Sequence, residues 1–124
     1  EHGYVETFTG RRRYGPMSFN KLVNAPVQGF TCELVMDGMC RLSEAAAEMG
    51  DPLLQPEIQI HDDLTFVVPD NDTVLDETIR RIYHVMLKPP YSFINVPLSV
   101  ECSIGNNWFE MAEINKFWSH KDLT

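Results

Sequence analysis

The sequence predicts an α+β fold, and three observations carry the prediction. Apolar residues recur at helical spacing over residues 27–49 and again over 75–86. Short alternating segments lie before, between and after those stretches, at 4–9, 58–68 and 96–102. Gly and Pro mark the joints, at Gly10, Gly15-Pro16, Gly50-Asp51-Pro52, Pro69 and Pro89-Pro90. Strand pieces interleaved with two helices, without internal repeat or low-complexity stretch, give the class. The 124 residues suit a single domain.

Each element has its own justification. From Tyr4 to Thr9 the chain alternates, with Tyr4, Glu6 and Phe8 facing one way and Val5, Thr7 and Thr9 the other. Gly10 ends that strand, and Arg11 to Tyr14 reads as its return, so the pair is a basic hairpin stopped by Gly15-Pro16. A long helix is expected from Asn24, which can cap it, with Pro26 tolerated in the first turn. Val27, Phe30, Leu34, Leu42 and Met49 share a face with Thr31, Gly38 and Ala45, and Gly50-Asp51-Pro52 stops the helix. Gly29 and Gly38 each cost a helix about 1 kcal/mol relative to Ala. They mark either the close approach of another backbone or a simple lack of packing demand.

Leu53 to Pro69 reads as two strands around His61-Asp62-Asp63, a β-hairpin with an acidic tip. Thr73 to Lys88 is a second amphipathic helix, with Asp72 or Thr73 as its cap and Leu75, Ile79, Ile82 and Met86 on one face. Pro89-Pro90 ends it. Val96 to Cys102 reads as a last strand, and Gly105-Asn106-Asn107 turns the chain toward Trp108 and a short segment expected to be helical.

Composition narrows the function. A hydrophobic share of 44% is that of a globular chain, not a disordered one. No apolar run approaches the roughly 18–20 residues of a membrane span, and no secretory signal pattern opens the chain. The first residue is Glu1, not Met, so the chain is expected to be part of a longer protein or a processed product. The net charge of −8 argues against nucleic acid when taken alone. Its distribution does not: residues 1–24 carry a net +2, through Arg11, Arg12, Arg13 and Lys21, and the remaining hundred carry −10. Cys32, Cys40 and Cys102 fit no zinc or redox spacing and read as buried reduced thiols of a cytosolic protein. The sequon Asn71-Asp72-Thr73 stands without any other secretory feature.

Three constellations have chemical meaning. Carboxylates on the rigid turn at Asp62 and Asp63 offer the hard oxygen ligands that Mg²⁺ takes, alongside waters and phosphate oxygens. Such a turn also suits plain solvation. Arg11, Arg12 and Arg13 can grip phosphates, though a strand sends its side chains to both faces and at most two serve one ligand. A solvated basic turn is the other reading. Asn24 and Gln28 lie four apart, on one helical face, where amides can reach acceptors in a nucleic-acid groove. A helix cap at Asn24 and an exposed polar position at Gln28 are the plainer alternatives. No P-loop, no G-x-S-x-G turn, no calcium loop and no paired-His metal motif is present.

The order of these signals is more specific than any of them. Gly3-Tyr4-Val5-Glu6-Thr7, Gly10-Arg11-Arg12-Arg13-Tyr14, Asn24-Ala25-Pro26-Val27-Gln28-Gly29, Gln59-Ile60-His61-Asp62-Asp63 with Val68-Pro69, and Gly105-Asn106-Asn107-Trp108 follow one another. The series resembles the C-terminal part of family A DNA polymerases over residues 1–108. The resemblance implies the second half of a palm subdomain: antiparallel strands, including a motif C hairpin, packed on two helices, with residues 109–124 as a tail. It implies that Asp62 binds metal, that Asp63 assists, and that His61 sits by the primer terminus. Gln28 and Asn24 would contact the primer-template, and Arg11, Arg12 and Arg13 its backbone. The cofactor implied is Mg²⁺ in a two-ion site to which this chain supplies one aspartate. The partners implied are primer-template DNA, a dNTP and the remaining polymerase segment, with fingers, thumb and the first half of the palm. The place implied is the cytoplasm of a bacterium or of a phage-infected host.

The sequence departs from the family pattern in places. Asp63 stands where most members have Glu, and its shorter reach ranks it below Asp62. Only seven residues separate Pro16 from Asn24, a short connector closer to the phage branch. Asn20 lies four before Asn24, where bacterial members carry an Arg just ahead of the Asn. The tail runs sixteen residues past Trp108, where many members end sooner. One aspartate does not hold two ions, so the chain is expected to be inactive alone. Two other classes remain open: a non-catalytic DNA-binding or accessory module that keeps the palm shape, and an unrelated metal-dependent hydrolase using Asp62 and Asp63.

Overall fold

The computed structural model describes residues 3–113. The chain opens with the expected basic hairpin. Strand β1 (Tyr4–Glu6) pairs antiparallel with β2 (Arg12–Tyr14) in the register Tyr4↔Tyr14, Val5↔Arg13 and Glu6↔Arg12. The strand predicted to reach Thr9 stops at Glu6, because Thr7 to Arg11 form the turn. There the Thr7 N–H donates to the Arg11 carbonyl at 2.9 Å and the Gly10 N–H to the Thr7 carbonyl at 3.0 Å.

Helix α1 runs Phe19–Met49, six residues longer at its start than a helix capped by Asn24. Ser18 is its N-cap residue, and the Leu22 N–H donates to the Ser18 carbonyl at 3.0 Å. Asn24 is therefore not a cap, and Pro26 lies inside the helix. Pro26 removes the N–H that would meet the Leu22 carbonyl. Leu22 and its neighbours are exposed there, and the helix continues through the proline. Gly50 closes α1 in the left-handed conformation, φ 62°, with its N–H on the Ala46 carbonyl.

A 3₁₀ turn, Pro52–Leu54, leads into the second hairpin. Its strands β3 (Ile58–Ile60) and β4 (Asp63–Thr65) pair as Ile58↔Thr65, Gln59↔Leu64 and Ile60↔Asp63. The hairpin is shorter than predicted, since Phe66 and Val68 continue outside the ladder. β3 is exposed along its length, while Leu64 and Thr65 of β4 are half-buried. Helix α2 (Asp72–Met86) is capped by Asn71, one residue before the positions predicted. The Asn71 Oδ1 accepts from the N–H groups of Thr73 and Val74, each at 3.1 Å.

The expected strand over 96–102 does not form. Pro97 lies within that run and cannot donate to a ladder. The last sheet is instead β5 (Ser103–Ile104) with β6 (Ala112–Glu113), paired Ser103↔Glu113 and Ile104↔Ala112. The predicted C-terminal helix is absent from 109–113, and residues 114–124 lie outside the described residues.

The core sits where α1, the 3₁₀ turn and α2 meet. Leu42, Leu54 and Leu87 are fully buried, and Tyr83 nearly so. Gly38 is buried against α2, and a Cβ built there would lie 2.7 Å from Met86 Sδ. The approach that this glycine permits is thus by a side chain, not by a backbone. Arg41 ties the same helices together: its Nη1 donates to the Val85 and Lys88 carbonyls at 2.7 and 2.9 Å, satisfying acceptors at the end of α2. Arg81 pairs with Asp51 at 2.6 Å and with Glu77. The predicted apolar face of α1 is only partly covered, for Val27 is 62% and Met49 55% exposed. Among the described residues no helix is long and apolar enough to cross a membrane.

Candidate functional site

The basic hairpin sorts its three arginines into two roles. Register places Glu6 opposite Arg12 and Tyr4 opposite Tyr14. The Arg12 Nε donates to Glu6 Oε2 at 2.6 Å, and its guanidinium lies over the Tyr4 ring, 4.6 Å from the centroid. The hydrogen bond to Glu6, then that to Tyr14, hold the Arg12 proton more tightly than usual. Arg12 therefore serves the hairpin itself. Alternation sends Arg13 to the opposite face with Val5. Arg11 and Arg13 are exposed, and their side chains take no ion-pair partner among the described residues. These two are available to a phosphate.

On α1, Asn24 and Gln28 are both exposed and one turn apart, as the spacing predicted. The earlier start of the helix adds Lys21 to that face, three residues before Asn24. Sequence reasoning missed Lys21 as part of this group because it began the helix at Asn24. Ser18, a favoured capping residue, was the available signal.

The hairpin turn is docked on α1 beside this face. The Thr7 hydroxyl lies 3.1 and 3.3 Å from the two carboxylate oxygens of Glu33, and the Thr9 hydroxyl donates to the same carboxylate. A Cβ on Gly29 would lie 2.9 Å from the Thr7 methyl. The Phe8 and Phe30 rings meet edge to face at 5.5 Å. Glu33, Thr7 and Thr9 were not among the predicted site residues, and their separation in sequence hid the contact.

The acidic turn is tight. His61 and Asp62 are the two residues between paired Ile60 and Asp63. His61 has φ 54°, the one positive value among the described non-glycine residues. A side chain costs about 1–2 kcal/mol there, and a positive φ at the first turn position suits the twist of a two-residue hairpin. His61, Asp62 and Asp63 are all exposed. Among the described residues no group of three or more His, Cys, Asp or Glu is placed to hold a metal ion. The donor set at the turn is hard oxygen, which fits Mg²⁺ as a partial site completed by other ligands.

Comparison with known proteins covers the stretch of chain in which these elements lie. The family model of DNA polymerase family A matches residues 1–110. DNA polymerase I of Chloroflexus aurantiacus is 31% identical over 126 residues, covering 92% of this chain and 13% of that protein. Thermostable DNA polymerase I of Thermus aquaticus is 33% identical over 122 residues, covering 90% of this chain and 14% of its own. DNA polymerase I of Deinococcus radiodurans is 31% identical, with 88% and 12% covered. The chain thus spans about an eighth of the length of the curated relatives it matches. No solved structure matches it significantly.

Proposed function

Because the chain belongs to DNA polymerase family A, we propose that it is a C-terminal palm segment of a DNA-directed DNA polymerase. On this reading it contributes to template-directed nucleotidyl transfer in DNA replication and is inactive alone. The observation that carries the reading is the reach of the family match, residues 1–110, which takes in both hairpins and the exposed face of α1 at once.

Each part of the site then has a task. Asp62 supplies one carboxylate to a Mg²⁺ site whose other protein ligand comes from outside the chain, and Asp63 assists. Bound Mg²⁺ would supply electrostatic stabilisation of the phosphate oxygens. The short two-residue turn holds Asp62 at a fixed place at the hairpin tip. His61 and Gln28 monitor the primer end, and Asn24 contacts the primer-template. Arg11 and Arg13 take backbone phosphates, while Arg12 braces the hairpin that presents them. The partners are primer-template DNA, a dNTP and the remaining polymerase segment.

Primer extension with Mg²⁺ and all four dNTPs tests the reading. The chain joined to the preceding polymerase segment should extend a primer. The Asp62→Ala form and the chain alone should not. A complete protein that folds and binds DNA without extending it, even with Asp62 intact, would reassign the chain to a DNA-binding module.

A further inference from the structure

We propose that Glu33 is a positioning residue that locks the basic hairpin onto α1, and so sets where Arg11 and Arg13 stand relative to Gln28. The inference rests on the proposed function and concerns a contact between two elements that the sequence keeps apart. Three observations meet at one place. The Glu33 carboxylate receives the hydroxyls of both Thr7 and Thr9, which lie within the turn. The Thr7 oxygen also accepts the Arg11 N–H at 3.1 Å, so the clamp reaches the arginine backbone directly. Gly29, one residue after Gln28, leaves the space that the Thr7 methyl occupies, with 2.9 Å to a built Cβ.

The physical argument follows from those contacts. A three-residue strand pair is marginal by itself, and its exposed arginines would sweep a wide volume if the turn were free. Thr7 is buried, at 8% exposure, and is held by a charged acceptor, so its hydrogen bonds are of the stronger kind. The Thr side chain has few rotamers, and its methyl is seated at Gly29 while its hydroxyl is engaged. The turn therefore has one docked position. Phosphate contacts made from it need little ordering on binding, which is where preorganisation raises affinity.

The test uses the chain joined to the remaining polymerase and compares Glu33→Ala, Thr7→Val and Thr7→Ser with the Arg11→Ala/Arg13→Ala double variant. Primer-template affinity is measured across a salt series, together with the DNA KM and the kcat at saturating DNA. Glu33→Ala and Thr7→Val should each weaken affinity about tenfold, the size of one charge-assisted contact. They should raise the DNA KM with kcat within about twofold, since uniform binding is what they remove. They should also flatten the salt dependence, by about one unit of slope per lost phosphate contact. Thr7→Ser keeps the hydroxyl that Glu33 receives and gives up only the methyl, so it should stay closer to parental affinity and slope than Thr7→Val, which a loss of side-chain volume alone would not produce. If the arginine pair matters while Glu33→Ala leaves affinity and slope at the parental values, the clamp is overturned and the DNA contact stands. If the arginine pair has no effect, the phosphate reading itself fails and the clamp fails with it. A Thr7→Ser variant no closer to the parent than Thr7→Val also overturns the clamp.

Discussion

The division of labour among the three arginines gives a quantitative prediction. Arg11 and Arg13 have no ion-pair partner among the described residues, while Arg12 is held at 2.6 Å by Glu6 and lies over Tyr4. If the first two neutralise DNA phosphates, each contributes about 0.9 to the slope of log affinity against log salt. Replacing both with Ala should therefore flatten that slope by about 1.8. Between about 50 and 200 mM salt the parent should then lose roughly twelvefold more affinity than the double variant. Arg12→Ala leaves both exposed arginines and the Glu33 contact in place and should change the slope by less than half of one contact's share. The measurement is fluorescence anisotropy of a labelled primer-template, titrated at four or more salt concentrations with the chain joined to the remaining polymerase. An equal flattening by Arg12→Ala would refute the assignment, because it would show that a partnered guanidinium counts as a phosphate contact like the other two.

Four further outcomes follow from the same contacts. Asp62→Ala should reduce primer extension by at least about a hundredfold, as expected for a lost metal carboxylate, with DNA affinity nearly unchanged in a binding assay. Gly38→Ala should gain up to about 1 kcal/mol of helix propensity against the displacement of Met86, whose flexible end meets the added methyl and can turn aside, so stability in urea should shift by no more than about 1 kcal/mol either way. A larger loss would show that Met86 is held in place and would contradict this packing. Burial holds the Tyr83 phenol and the Cys102 thiol above their ordinary values. Both protons are lost earlier in the unfolded chain, so stability is intact below the thiol's unfolded value of 9.0 and falls as pH rises through the folded value. A urea midpoint that holds or rises from pH 8 to 10 would be inconsistent with that linkage, and alkylation should mark exposed Cys32 and Cys40 before Cys102. The chain without the remaining polymerase should self-associate, because Phe19, Val27 and Ile60 are 79%, 62% and 49% exposed. Sedimentation as a clean monomer would count against it.

The parts legible in the sequence were those governed by local rules. The two helices and the two hairpins follow from period, glycine and proline, while the register Glu6↔Arg12 depends on a turn that begins at Thr7, before Gly10. Boundaries were less legible where two rules competed. Asn24 and Pro26 together look like a helix start, but Ser18 offers an earlier one, and the helix runs on through the proline along an exposed stretch. The run 96–102 alternates like a strand, but Pro97 and the lack of a partner keep it out of any ladder. What local rules could not reveal was contact at a distance. Glu33 reads as one more surface acid on a helix, and only the folded chain brings Thr7 and Thr9 to it. Gly29 and Gly38 look alike in sequence, yet one meets a β-branched methyl held by hydrogen bonds and the other the end of a flexible Met.

That last contrast separates the chain into two functional halves. The buried residues Leu42, Leu54, Tyr83 and Leu87, with Gly38 and Arg41, join the C-terminal half of α1 to α2 and carry the folding load. The N-terminal half of α1 carries Lys21, Asn24 and Gln28 on an exposed face and receives the basic hairpin at Gly29 and Glu33. Met86 can change rotamer to admit a small intrusion at Gly38, so that contact tunes stability and leaves the exposed face where it is. Thr7 has no such freedom, so an intrusion at Gly29 must move the hairpin as a body and carry Arg11 and Arg13 with it. Substitutions near Leu42 should thus act through the amount of folded protein, and substitutions near Gly29 through the DNA contact at constant folded amount. The two glycines, nine residues apart on one helix, should give opposite answers when stability and DNA affinity are measured on the same variants.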